Sequence, residues 1–166
     1  MKNNTKRLTA LALTISFAMV LSYIESRIPA FVAIPGIKVG LANIAVIFAL
    51  YKFGTKDAII ISVLRVFLVS LLFGSSVSLI YSLAGATLSL ISMVLLKKIT
   101  PLSEVGVSVC GGVMHNAGQI TAASILLDTN VVVYYLPFLI LSGTLAGIVV
   151  GIVSALLVKR VNLRIK

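Results

Sequence analysis

Long apolar runs dominate this sequence, and they limit its possible folds more than any other feature. They cover residues 8–28, 39–51, 58–73, 77–96, 105–127 and 131–158. A helix needs about 20 predominantly apolar residues to cross a bilayer, and every run except 39–51 is close to or above this length. The pattern predicts an all-α integral membrane protein, with residues 1–166 forming one domain, a six-helix transmembrane bundle.

Composition excludes the soluble protein classes. Hydrophobic residues make up 60% of the chain and charged residues 11%, and the mean hydropathy is +1.17, far from the averages of soluble domains. The net charge of +10 does not indicate nucleic-acid binding, because the charges form short clusters between apolar runs. The first run could be a signal peptide, but it is long and lacks a clear cleavage site before Glu25. We interpret it as a retained first helix.

The basic residues predict the orientation in the membrane. With both termini in the cytoplasm, the inner segments hold eleven Lys and Arg residues, and the outer segments hold only Arg27 and Lys38. This asymmetry follows the positive-inside rule and predicts a multi-pass protein of the cell membrane. Pro29, Pro35 and Gly36 interrupt the segment 28–37, which is expected to cap the bundle on its outer side.

Arg65 lies in the middle of the third apolar run. An arginine at this depth costs about 3 kcal/mol on insertion scales, so it is expected to face the bundle interior. The four acidic residues all fall at the ends of the predicted helices, and none is expected at the depth of Arg65: Glu25, Asp57, Glu104 and Asp128. Its partner is then an anionic ligand, water, neutral polar groups or, in a purely structural role, helix carbonyl groups.

Polar residues recur on one face of the fifth predicted helix. At 100° per residue, Ser108, Gly112, His115, Asn116 and Gln119 share this face. Because His115 and Arg65 are predicted at similar depths, we expect them to meet at one interior cavity. Alternatively, the stripe only hydrogen-bonds neighbouring helices. A single histidine without a cysteine pair or carboxylate is a poor ligand set, so no metal and no cofactor are predicted.

Small residues at four-residue spacing indicate close helix contacts. Gly143, Gly147 and Gly151 form such a ridge on the sixth predicted helix and are expected to serve helix packing. A second line on the first predicted helix could dock a partner protein or pack against the chain's own helices: Ala10, Thr14 and Ala18.

Several ordered motifs resemble one known family: PGIKVGLANI (35–44), RVFLVSLLFGS (65–75), YSLAGATLS (81–89), GVSVCGGVMHNAGQ (106–119) and YLP (135–137). Over about residues 8–155 the chain resembles the Gx transporter family, also labelled heptaprenyl diphosphate synthase component I. That family is similar to the substrate-binding S components of energy-coupling factor transporters, which have six helices, cytoplasmic termini and a pocket beneath the first loop. The resemblance implies a substrate site at Lys38, Asn43, Arg65, His115, Asn116 and Gln119. Tyr81 is expected beside it.

The two family labels imply different functions. Prenyl diphosphate synthases bind magnesium through clustered aspartates, but Asp57 and Asp128 are predicted at opposite membrane faces, and the chain has no P-loop. We therefore expect no enzyme. The first hypothesis is a substrate-binding transport component for an organic anion with an apolar body. It would act with ATPases and a transmembrane coupling subunit, and the resemblance implies that this subunit docks on Ala10, Thr14 and Ala18. The alternative is a non-catalytic membrane subunit associated with heptaprenyl diphosphate synthesis.

Overall fold

The computed structural model describes residues 2–27 and 40–161. The predicted cap, Lys38 and the chain ends lie outside these ranges. The described residues form six α-helices and contain no strand, which confirms the all-α fold class. The helices are α1 (Lys2–Arg27), α2 (Asn43–Lys52), α3 (Thr55–Phe73), α4 (Ser76–Ile99), α5 (Glu104–Leu126) and α6 (Leu136–Arg160), with a short 3-10 helix at Val131–Tyr135.

Local sequence explains where several helices begin. Ser75 Oγ accepts a hydrogen bond from the Ser78 N–H at 3.2 Å before α4, and Ser103 Oγ accepts one from the Gly106 N–H at 3.3 Å before α5. Both are N-caps that satisfy an otherwise unpaired donor of the first turn. Gly54 has a φ of +102°, a conformation that glycine adopts without strain. It therefore separates α2 from α3.

Within residues 2–27 and 40–161, three helical segments are long and apolar enough to cross a membrane: Thr5–Arg27, Ser76–Ile99 and Val131–Arg160. The first and second lie in α1 and α4, and the third includes the 3-10 helix and α6. By contrast, α2 has only 10 residues, so its length is about 15 Å, roughly half of a hydrocarbon core about 30 Å thick. The helix α2 begins at Asn43, whereas the predicted apolar run began at residue 39.

Despite its shortness, α2 occupies the centre of the bundle. All of its residues from Asn43 to Leu50 are buried, and it contacts α1, α3 and α6. An α-helix that is apolar on every side belongs in a core. Ile47 and Leu50 are fully buried, and they share one apolar cluster with Ile61 of α3 and Met93 of α4.

The antiparallel pair α5 and α6 makes very close backbone contact. A Cβ added to Gly112 would lie 2.5 Å from the carbonyl oxygen of Gly143, and one added to Gly147 would lie 2.6 Å from Cα of Val109. Gly151 also contacts the backbone of α5, one turn closer to the beginning of α5 than Gly147 does. The predicted glycine ridge thus lies against α5, where missing side chains let two helices approach.

On its other side, α5 packs just as closely against α4. A Cβ on Gly118 would lie 2.6 Å from the Ala84 carbonyl oxygen, and one on Gly111 would lie 2.7 Å from Met93 Cγ. This pair is also antiparallel, because later residues of α5 meet earlier residues of α4. Consequently α4, α5 and α6 form a three-helix layer with α5 in the middle.

Polar contacts join helix ends at one end of the bundle. Arg7 Nη2 lies 2.8 Å from both carboxylate oxygens of Asp57, joining the beginnings of α1 and α3. Lys97 Nζ donates to the Leu50 carbonyl oxygen at 2.6 Å, joining the last turns of α4 and α2. This end carries all but two of the described basic side chains, the exceptions being Arg27 and Arg65: Lys6, Arg7, Lys52, Lys56, Lys97, Lys98, Lys159 and Arg160. We call it the basic end; among the described residues, the opposite end carries Arg27.

Candidate functional site

A cavity with a polar wall lies among α1, α3, α4 and α5. The structure therefore brings Arg65 and His115 to one interior space, as expected from their depths. The described residues of the wall are Ser22, Glu25, Gly40, Arg65, Val66, Val69, Ser82 and His115. We call this space the Arg65 cavity.

Arg65 is held inside the bundle by the pattern of α3. Its buried neighbours on the helix are Ile61, Ser62, Val66 and Val69, which form one continuous face at helical spacing. Arg65 is 5% exposed, and its Nε donates no hydrogen bond to any described residue. Buried donors are nearly always paired in native proteins, so this atom marks a place for a polar group.

The prediction that no acid lies near Arg65 was wrong, because Glu25 belongs to the wall of the same cavity. Glu25 continues the buried side of α1 after Thr14, Ala18 and Ser22 and is itself 5% exposed. Residue counting assigned the two charges to different depths. It took no account of the length of the arginine side chain, which can place its charge several ångströms from the backbone.

The chain segment leading into α2 holds the Glu25 carboxylate in place. The Gly40 N–H donates a hydrogen bond to Glu25 Oε1 across 15 residues of sequence. Gly40 has a φ of +92°, which favours glycine. Glu25 thus links the last turn of α1 to the segment before α2.

His115 and Gln119 lie where α5 meets α4. A Cβ on Gly85 of α4 would lie 2.9 Å from Gln119 Cγ and 3.1 Å from His115 Cε1. Only a glycine at position 85 leaves room for both side chains at this distance. His115 reaches the cavity wall, and Gln119, one turn further along α5, is fully buried.

Two other predicted site residues contact different parts of the bundle. Asn116 Nδ2 donates to the Leu139 carbonyl oxygen of α6 at 2.7 Å, which is the helix-joining role considered as an alternative. Tyr81 is buried in an apolar cluster with Ile120 and Val132. The Arg65 cavity therefore gathers only part of the predicted set.

A second cavity lies among α2, α4, α5 and α6. Asn43 contributes to its wall together with apolar and small residues, and Gly40 belongs to the walls of both cavities. The described wall residues are Gly40, Asn43, Ile47, Met93, Ser108, Gly112, Ala146, Gly147 and Val150. We call it the α2 cavity; it adjoins the Arg65 cavity and is mostly apolar.

The small-residue line of α1 faces inward. Thr14 is 7% and Ala18 0% exposed, Ala10 is half-buried, and α1 contacts α2 and α3. Thr14 Oγ1 donates to the Ala10 carbonyl oxygen at 2.8 Å within the helix. This placement is the one required by packing against the chain's own helices.

The family model described as heptaprenyl diphosphate synthase component I matches residues 14–157. The chain belongs to this family. The match includes every described wall residue of both cavities. No curated protein matches the chain, and no solved structure does either.

Sequence reasoning missed three polar side chains in the wall of the Arg65 cavity: Ser22, Glu25 and Ser82. A signal for the first two was present, because Thr14, Ala18, Ser22 and Glu25 recur at spacings of four, four and three residues on an otherwise apolar helix. In the described part of the chain, no group of three His, Cys, Asp or Glu side chains could hold a metal ion. The site can therefore act through one cation, one carboxylate and neutral polar groups.

Proposed function

We propose that this chain is a non-catalytic membrane component that serves heptaprenyl diphosphate synthesis and binds a small polar molecule with an apolar body inside its helix bundle. The family description supports the association with that synthesis. A complete synthase needs clustered aspartates for magnesium. Here Asp57 is bound by Arg7, whereas Asp128 follows the end of α5, so the two do not form such a cluster.

The single observation that carries the proposal is the buried Arg65 on the wall of a polar cavity. Burying a cation in a membrane bundle costs several kcal/mol, and such residues commonly mark ligand or ion sites. Ser82 Oγ, on the same wall, is also buried without a hydrogen-bond partner among the described residues. Two polar atoms without a described hydrogen-bond partner at one cavity, Arg65 Nε and Ser82 Oγ, favour a bound polar ligand over a purely structural role.

The proposal includes a cell-membrane topology with six spans and both termini in the cytoplasm. The basic end supports it, because cytoplasmic loops carry the excess of Lys and Arg. In this arrangement α2 crosses only about half of the bilayer thickness as a helix, fully surrounded by the other helices. Its backbone is then shielded from lipid, as a short interior helix requires.

A second candidate function is substrate binding for a small-molecule transporter, as in the S components that the family resembles. The position of the Arg65 cavity favours it. Ser22 and Glu25 lie near the end of α1, so the cavity lies toward the end of the bundle opposite the basic end. In the proposed topology this end faces outward, where an imported ligand would enter. Such a transporter would also need a transmembrane coupling subunit with ATPases.

Ligand binding can be tested by mass spectrometry of the small molecules that co-purify with the detergent-extracted chain. Arg65→Met should lose the co-purifying ligand, since losing a buried charge interaction costs on the order of 2 to 5 kcal/mol. Arg27→Met is the matched control, because Arg27 is exposed and contacts Tyr23 at 2.9 Å. If Arg65→Met kept its ligand at normal occupancy, Arg65 would be structural and the proposal would fail.

The two candidate functions differ in what happens to the bound molecule. Proteoliposomes containing the chain should recruit a soluble prenyl diphosphate synthase if it serves that synthesis directly. A transport component should instead give uptake of the co-purified molecule that depends on ATP and a coupling complex. Recruitment without uptake supports the first function, and uptake without recruitment supports the second.

A further inference from the structure

Both cavities are small, and each has at least one wall residue with a buried polar atom that bonds no described residue. These atoms are Arg65 Nε and Ser82 Oγ at the Arg65 cavity and Ser108 Oγ at the α2 cavity. The three residues are 5%, 7% and 2% exposed, in that order. Each cavity has room for about one water molecule. Since buried polar atoms are nearly always paired, both places require a very small hydrogen-bonding molecule.

We propose that each cavity binds one ordered water molecule. In the Arg65 cavity, the water accepts a hydrogen bond from Arg65 Nε and bonds Ser82 Oγ, so it joins α3 to α4. In the α2 cavity, the water bonds Ser108 Oγ and the side chain of Asn43, so it joins α5 to α2. This inference goes beyond the proposed function, because it does not presuppose that a larger ligand binds.

The charges at the Arg65 cavity favour water over an ion. Arg65 and Glu25 both contribute to the wall, and their formal charges cancel. A bound anion would meet the Glu25 carboxylate, and a bound cation would meet the Arg65 guanidinium. Like charges repel strongly where bulk water is excluded. A neutral molecule avoids both repulsions, and the organic anion expected from sequence loses its support because that expectation assumed no acid near Arg65.

Polar partners are what let a cavity of this size hold water, since a purely apolar cavity stays dry. The α2 cavity is lined by Ile47, Met93 and Val150, so its water depends on Ser108 and Asn43. The Asn43 amide lies beside Gly40, where an added Cβ would be 3.0 Å from Asn43 Nδ2. A larger molecule would require the walls of either cavity to separate, whereas water fits them as described.

The inference can be tested with crystals of the full chain grown in a lipid mesophase, at a resolution that shows ordered waters. We expect one water peak within about 2.7 to 3.2 Å of both Arg65 Nε and Ser82 Oγ, which is hydrogen-bonding distance. A second peak should lie at the same distance from Ser108 Oγ. The peaks should be present in every molecule of the crystal.

Two serine variants serve as matched controls for each other, because each removes one hydroxyl from a different cavity. Ser82→Ala should lose the water at Arg65 and keep the one in the α2 cavity. Ser108→Ala should do the reverse. Ser92→Ala should keep both waters, because the Ser92 hydroxyl already donates to the Ser89 carbonyl oxygen at 2.7 Å within α4.

Each outcome decides the inference separately from the proposed function. A cavity without a peak, in a wild-type map that shows other ordered waters, would overturn the inference for that cavity. A larger molecule in either cavity would overturn it while supporting the proposed function. If Ser82→Ala folded and kept the water at Arg65, the bond to Ser82 would be wrong. Should either variant not fold, the wild-type map still decides, and co-purification of a ligand tests the proposed function independently.

Discussion

Replacing Gly112 with alanine should weaken the contact between α5 and α6. The added Cβ would lie 2.5 Å from the Gly143 carbonyl oxygen, whereas ordinary contact begins at 3.4 Å. The helices must therefore separate locally by about 0.9 Å, the difference between these distances. The obstacle is backbone, so no side-chain rotation can relieve it.

The expected magnitude follows from two opposing effects. Overpacking a close contact costs about 1 to 3 kcal/mol, and glycine to alanine within a helix gains up to about 1 kcal/mol. Gly106→Ala is the matched control on the same helix, because its Cβ would lie 3.3 Å from Cδ2 at the end of the exposed Leu102 side chain. Gly112→Ala should therefore be less stable than Gly106→Ala by about 1 to 3 kcal/mol.

Both variants can be unfolded in dodecylmaltoside micelles with increasing sodium dodecyl sulfate, with circular dichroism reporting helix content. The free energy of unfolding is compared between the two variants and the wild type. Equal stability of Gly112→Ala and Gly106→Ala would show that α5 and α6 do not touch at Gly112, and the antiparallel register between them would be wrong.

Three further predictions concern other contacts and the topology. Arg7→Gln should lower the free energy of unfolding by about 1 to 3 kcal/mol, because it leaves Asp57 buried without its cation, whereas the same change at exposed Lys6 should have little effect. Asn116→Leu should cost only about 0.6 to 1.7 kcal/mol in the same assay, since it removes the bond to Leu139; a larger loss would show that Asn116 does more than join two helices. In a Cys110→Ala background, single cysteines should react from outside at positions 75 and 129 and from inside at 54 and 100, and reversed labelling at two sites would contradict the proposed topology.

Much of the fold follows from sequence, because a helix must be long and apolar to be stable across a bilayer. Each predicted run corresponds to one described α-helix, and the last run also covers the 3-10 helix. Gly54, Ser75 and Ser103 mark boundaries through their backbone and capping chemistry. The meeting of Arg65 and His115 also followed from residue spacing, since each position fixes both a face and a depth on its helix.

Other features depended on tertiary packing and could not be deduced from spacing alone. The end of α1 approaches the middle of α3 at Glu25 and Arg65, which reflects how these helices meet. Asn116 shares a face with His115, yet it bonds α6 while His115 faces the Arg65 cavity. Because α5 lies between two helices, neighbouring residues of one stripe serve different contacts.

Two of the helices that line the Arg65 cavity, α3 and α5, are not recognised as membrane spans by length and composition. The segments that are recognised belong to α1, α4 and α6, whereas α3 and α5 supply the arginine and the histidine. The outer side of α3 is nevertheless apolar, with Ile60, Leu64 and Phe67 each 43–50% exposed. Lipid can therefore contact α3 while its charge stays inside, and α5 is covered by α4 and α6. A polar site becomes compatible with the membrane when its residues lie on inward faces, and mean hydropathy cannot reveal this arrangement because it averages over the whole helix surface.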